Sequence, residues 1–127
     1  RRMIPGSRGK HTSYRRSFLF AVQGFRSAVQ QEANLKRMLG IAAVVLVVSL
    51  FIGLDLFGWI VIVGCIGAVI SAELMNTAVE TVVDLVSPEF HPLAGKAKDI
   101  AAAASWFMSG ISAIVGILVF IRALFHL

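Results

Sequence analysis

Cysteine is almost missing from this chain: the single thiol, Cys65, lies inside an apolar run. Neither a disulfide framework nor a thiolate metal site is available to organise the fold, and Cys65 reads as packing. Proline is nearly as rare. Pro5, Pro88 and Pro92 are the only three, so a long stretch holds no residue that forbids helix continuation. Negative charge is scarce, with seven Asp and Glu against twelve Lys and Arg for a formal net charge of +5. From Met38 to Ala72 the only charged residue is Asp55. Charged residues make up 15% of the 127, hydrophobic ones 57%. A soluble domain of this length must show much of its chain to water and cannot hide that much apolar surface. Also absent are the glycine loops by which soluble folds cradle phosphate; Gly95-Lys96 lacks the earlier glycine that pattern needs. The chain is built for a bilayer.

What charge there is falls unevenly. Nine of the twelve Lys and Arg precede Met38, against one acid, Glu32. Such a segment fits an anionic membrane surface or a cytoplasmic flank; nucleic acid, the other partner of basic stretches, does not fit the apolar remainder. Residues 1–12 carry Pro5, Gly6, Gly9 and four basic residues without apolar periodicity, as expected of a mobile tail or a processed end. Nothing there has the apolar core and small-residue site of a cleavable signal peptide. Over 13–34 the pattern changes. Tyr14, Phe18, Ala21, Val22, Phe25, Ala28 and Val29 recur at spacings of three and four, while Arg15, Arg16, Gln23, Arg26 and Gln30 fall mostly elsewhere. A helix with aromatics on one side and arginines on another suits the membrane interface, or else a partner protein.

Three spans follow, predicted at about 36–55, 58–86 and 98–123 from apolar runs of sufficient length. Asp55 and Gly58 mark a tight turn between the first two, with Trp59 at headgroup level. The Ser87-Pro88 pair stops the second, and a polar loop is expected over 87–99. Small residues from Ala101 to Gly116, Ser105 among them, favour close helix contacts in the third. The fold class is therefore all-α: a surface helix and three transmembrane helices forming one domain over 13–127. Positive charges put the N-terminus and the 87–99 loop in the cytoplasm, with Arg122 a weak contrary vote.

The chemistry sits on the second span. Glu73, Asn76, Glu80 and Asp84 are offset so that, at about 100° per residue, they point to roughly 0°, −60°, −20° and +20°. All four share one face. A charge in a span costs at least ~2.5 kcal/mol, so such residues are functional candidates by default. Carboxylates with an amide oxygen are hard ligands that suit Mg²⁺. Two other readings compete: acids paired with Lys96, Lys98 or Arg26 to hold helices together, and an ion or proton path. Against the second, no span is broken and the acidic motif is not repeated. His91 reads as a structural loop histidine.

The run from Glu73 through Asn76, Thr77, Ala78, Val79 and Glu80 to Asp84 resembles the E-x-x-N-[ST]-A-[IV]-E-x-x-x-D signature of the small bacterial diacylglycerol kinase family. Phe90-His91 and Ala97-Lys98-Asp99 resemble its aromatic-His and A-K-D block, and Gly24, Arg26 and Glu32 its G-x-R-x-A-x-x-x-E segment. The likeness runs from about residue 14 to the C-terminus. It implies a multi-pass kinase of the bacterial cytoplasmic membrane, a homotrimer with sites shared between subunits, moving the γ-phosphate of MgATP to a lipid hydroxyl. By motif, Glu73 would be the general base and Glu32 and Glu80 would hold Mg²⁺. Asn76, Lys98 and Asp99 would organise phosphate or nucleotide, Arg16 and Arg26 would contact phosphate, and Asp84 would support the polar face. The stretch Val83-Asp84-Leu85-Val86 through Glu89-Phe90-His91-Pro92-Leu93 resembles the Gram-positive branch, whose usual acceptor is undecaprenol; diacylglycerol is the alternative. Four alanines at 101–104 depart from the Gly or Ser frequent in relatives. An ion-coupled carrier and a catalytically silent membrane protein are the readings from other classes.

Overall fold

The computed structural model describes residues 13–127, and the tail expected over 1–12 lies outside the described residues. Four helices follow one another: α1 Tyr14–Gln31, α2 Ala33–Ile52, α3 Leu56–Val86 and α4 Pro92–Phe125. Ser13 caps α1, its hydroxyl accepting from the Arg16 amide at 3.2 Å. None of the residues of α1 is buried, and Phe18, Leu19, Val22 and Phe25 stay exposed along it. An apolar stripe left bare in this way is what an interfacial helix presents to lipid. The expected helix over 13–34 is shorter, because Glu32 is extended (φ −112°, ψ 107°). That one residue closes α1, its N–H bonding Ala28 O at 2.9 Å, and opens α2, its carbonyl accepting from Lys36 N at 3.3 Å. No Pro or Gly marks the break. A helix that lies on a membrane must bend before it crosses, and the bend falls where one-sided apolarity gives way to apolarity all round.

Helices α2, α3 and α4 are each long and apolar enough to cross a membrane. With 20 residues, α2 spans about 30 Å, the thickness of the hydrocarbon layer. The 31 residues of α3 and 34 of α4 outrun that thickness. A span entered at Leu56 therefore leaves the apolar layer near Met75, about twenty residues on. Glu73 sits at that edge, with Glu80 and Asp84 beyond it.

The turn between α2 and α3 is Gly53–Asp55 rather than Asp55–Gly58. Gly53 ends α2 in the left-handed region (φ 79°), where only glycine is free of strain. Asp55 caps α3 by accepting from the Gly58 amide at 2.8 Å. Gly58 is already helical and buried, and a Cβ there would lie 3.2 Å from both Asp55 Oδ1 and Leu54 Cβ. Arg122, near the end of α4, reaches back to Asp55 Oδ2 at 3.1 Å and lies over the Phe57 ring at 5.3 Å. Its charge, which counted against the topology, is matched by Asp55.

The third expected span also begins elsewhere. Pro92 occupies the first turn of α4, and His91 caps it, Nδ1 accepting from Leu93 N at 3.1 Å. Proline at that position starts a helix rather than stopping one, so the connection shrinks to residues 87–91 and Lys96, Lys98 and Asp99 are helical. α3 packs most extensively on α4, around Leu54, Ile62 and Val119. Few other large side chains are buried, and residues such as Ile41, Leu50 and Phe51 face outward. Lipid takes the place that a larger core fills in soluble proteins.

Candidate active site

The acidic stripe predicted for the second span is continuous on α3, but its members meet different surroundings. Glu73 is 5% exposed and is the only buried acid among the described residues. Its Oε1 accepts a hydrogen bond from Ser105 Oγ on α4 at 2.7 Å, and Ser105 is itself 4% exposed. Asn76, nearly one turn on, has its Oδ1 buried without a hydrogen-bond partner. A buried amide oxygen in that condition is costly and is able to accept from a donor or to ligate a cation. Glu80 is half-buried and shares its electrostatic surroundings with Glu32, Glu73 and Asp84 as like charges and Lys98 as the opposite one. Glu32 comes from the α1–α2 bend, so that bend delivers its carboxylate to the α3 stripe. Asp84 is exposed and takes Lys98, Nζ to Oδ1 2.6 Å. The helix-pairing reading therefore holds for Asp84 and Lys98; Glu73 is held by a neutral hydroxyl instead.

Two further hydroxyls, Thr77 and Thr81, bond back to the carbonyls of Glu73 and Thr77 at 3.0 and 2.9 Å. They satisfy themselves within α3 and leave its acids unencumbered. Arg16 and Arg26 stand at exposed positions of α1. Asp99 is exposed and is not brought to Glu73: Lys98 and Ser105 share one face of α4, whereas Asp99 points about 100° away. It lines a shallow concavity of about 520 Å³ with Phe90, Pro92, Gly95, Lys96 and Ile100. Glu32, Glu73, Glu80 and Lys98 thus lie around the α3 stripe, whereas Asp99 lies on another face of α4. Ser105 was counted only among the small residues in the sequence; which hydroxyl meets Glu73 depends on how α3 and α4 turn toward each other, and no spacing within one helix records that.

An apolar groove of about 430 Å³ runs between α2, α3 and α4, lined among others by Ile41, Val45, Ile66, Ile70 and Ile117. Ile70 and Ser109, also on its wall, lie about one helical turn from Glu73 and Ser105. The apolar groove thus reaches to within about one helical turn of a buried carboxylate.

A buried acid close to an apolar groove on membrane-length helices suits a membrane protein that handles an apolar molecule with a polar end. The prokaryotic diacylglycerol kinase family matches residues 19–120, and the chain belongs to that family. It is an enzyme of the lipid-kinase class. The chain is 38% identical to the undecaprenol kinase of Bacillus subtilis over 109 residues, 86% of this chain and 89% of the relative. With the diacylglycerol kinase of Haemophilus influenzae it shares 34% over 103 residues, 80% of this chain and 87% of the relative. The Escherichia coli K12 diacylglycerol kinase is 31% identical over 86 residues, 67% of this chain and 70% of the relative.

Proposed function

We propose that the protein transfers the γ-phosphate of MgATP to the hydroxyl of undecaprenol, giving undecaprenyl phosphate, and that it does so as a homotrimer with its N-terminus and active site on the cytoplasmic side of a bacterial cell membrane. The observation that carries this reading is the buried Glu73 carboxylate beside the end of an apolar groove. Glu73 takes the proton of the lipid hydroxyl as its oxygen forms a bond to the γ-phosphorus. The bond from that phosphorus to the bridging oxygen breaks, and ADP leaves. Phosphoryl transfer asks little more of a protein than positioning and charge neutralisation, which is why no soluble kinase fold is needed.

The donors present fit Mg²⁺. Glu32 and Glu80 are carboxylates within electrostatic reach of each other, and the Asn76 amide oxygen has no protein partner. Among the described residues no three His, Cys, Asp or Glu converge as a complete cage; Mg²⁺ commonly takes only one or two carboxylates and completes its shell with substrate phosphates and water. Glu32 and Glu80 would hold it, and bound there it would neutralise charge on the nucleotide phosphates. Asn76, Lys98 and Asp99 organise the nucleotide, and Arg16 and Arg26 contact phosphate. Undecaprenol is favoured over diacylglycerol by the 38% relative and by the Phe90-His91-Pro92-Leu93 stretch; the 34% relative of similar coverage supports diacylglycerol as the second reading. Purified protein in mixed micelles, given labelled ATP and each lipid in parallel, should phosphorylate undecaprenol faster. Faster transfer to diacylglycerol overturns the acceptor assignment, and transfer to neither overturns the kinase reading.

A further inference from the structure

Ser105 has no assigned part in the reaction, yet its hydroxyl is the single hydrogen-bond donor on the buried Glu73 carboxylate among the described residues. Helix hydroxyls usually bond back to the carbonyl one turn earlier. Ser49, Thr77 and Thr81 all do so, at 2.7, 3.0 and 2.9 Å. Ser105 instead reaches across to α3, 32 residues away in sequence, and does so where both partners are almost wholly out of contact with solvent. Water is therefore a weak competitor for that carboxylate. The four residues before Ser105 are alanines, so no neighbouring side chain on that turn replaces its hydroxyl.

The geometry points to Ser105 as a positioning residue for the phosphoryl transfer: by occupying Oε1 of Glu73 it fixes the plane of the carboxylate and leaves Oε2 as the oxygen that meets the acceptor hydroxyl. The inference rests on the kinase reading and deepens it. A glutamate's terminal torsion is broad and roughly two-fold, so an unanchored carboxylate spends part of its time with neither oxygen aimed at the substrate. An ionised carboxylate accepts at both oxygens, and one anchored oxygen leaves the other aimed. Ser105 from α4 bonds this carboxylate, and Glu80 along α3 lies within its electrostatic reach. Neither of the flanking hydroxyls, on Thr77 and Thr81, is turned toward it.

The test compares turnover, KM for the nucleotide and melting in detergent for the full chain and three variants. Ser105→Ala should lower kcat roughly tenfold while KM for the nucleotide stays within about twofold; melting should fall as well, because a buried carboxylate loses its donor. Ser105→Thr and Ser105→Val have nearly one shape and differ in the hydroxyl. Ser105→Thr should therefore turn over several-fold faster than Ser105→Val. Equal rates for those two, or wild-type kcat in Ser105→Ala, overturn the positioning role while leaving the kinase reading intact. Absence of transfer by the wild type removes both.

Discussion

Glu73 and Glu80 stand seven residues apart on one stripe and differ in what surrounds them. Glu73 is sealed beneath α4 with one oxygen engaged, whereas Glu80 is half-buried among other carboxylates. A base needs a fixed direction toward one proton, and a cation ligand needs company of like charge; the two glutamates have these environments respectively. Glu73→Gln keeps the shape and can still accept from Ser105, but it cannot take a proton. Its turnover should fall by about 10²–10⁴-fold, the usual share of a general base, with helix content and oligomer size unchanged by circular dichroism and gel filtration. Glu80→Gln should also abolish turnover, and raising Mg²⁺ should restore part of it if the loss is in cation affinity. Misassembly of either variant would return the stripe to a packing role. The stripe itself was legible from offsets of three, seven and eleven, because a helix converts spacing into direction. Ser105 was not legible, since its partner lies on another helix.

Among the helices, what could be read depended on whether a boundary was chemical or environmental. The ends of α2 and α3 carry Gly53, Asp55, Ser87 and Pro88, residues whose backbone preferences act locally, and the spans fell close to expectation there. The break at Glu32 carries no such residue, and Pro92 has two opposite meanings depending on which side of it the helix lies. Both were misplaced for those reasons. The α2–α3 turn offers a direct measurement. The Gly58 amide, and then the Arg122 guanidinium, hold the Asp55 carboxyl below the ordinary aspartate value. A carboxyl lowered in the folded protein adds stability at pH above its unfolded value, and that stability is lost as pH falls through the folded one. The melting difference between wild type and Asp55→Asn should therefore be constant at neutral pH and begin to shrink below about pH 4. A difference that grows on acidification would contradict the assignment. Asn can still cap the helix, so this variant isolates the charge.

At the level of the whole molecule, one copy has most of its apolar surface uncovered and carries polar residues on two faces of α4. Ser105 and Lys98 face α3, while Asp99 lines an outward concavity with Lys96 and Phe90. One copy cannot bring Asp99 to Glu73 without turning α4 through about 100°, which would break the Ser105–Glu73 bond. In the proposed homotrimer a neighbouring copy would supply Asp99 without any such turn, and a closed ring would let every copy give one face and receive the other. The membrane spans were readable because lipid demands long apolar helices; a site shared between copies is not readable from periodicity, because nothing in one chain's periodicity records its neighbours. The proposed sharing of sites makes a prediction about mixtures. Glu73→Gln and Asp99→Asn, each inactive alone, place their lesions on opposite sides of every junction. In equal mixtures assembled by dissociation and reassociation, about a quarter of the junctions should pair an intact Glu73 with an intact Asp99 if copies combine at random around a closed ring. Activity should rise from near zero toward about a quarter of wild type, and only after subunits have exchanged. A mixture that stays inactive after exchange is verified by tagged-chain pull-down would place both residues in one protomer, and α4 would then have to rotate during turnover.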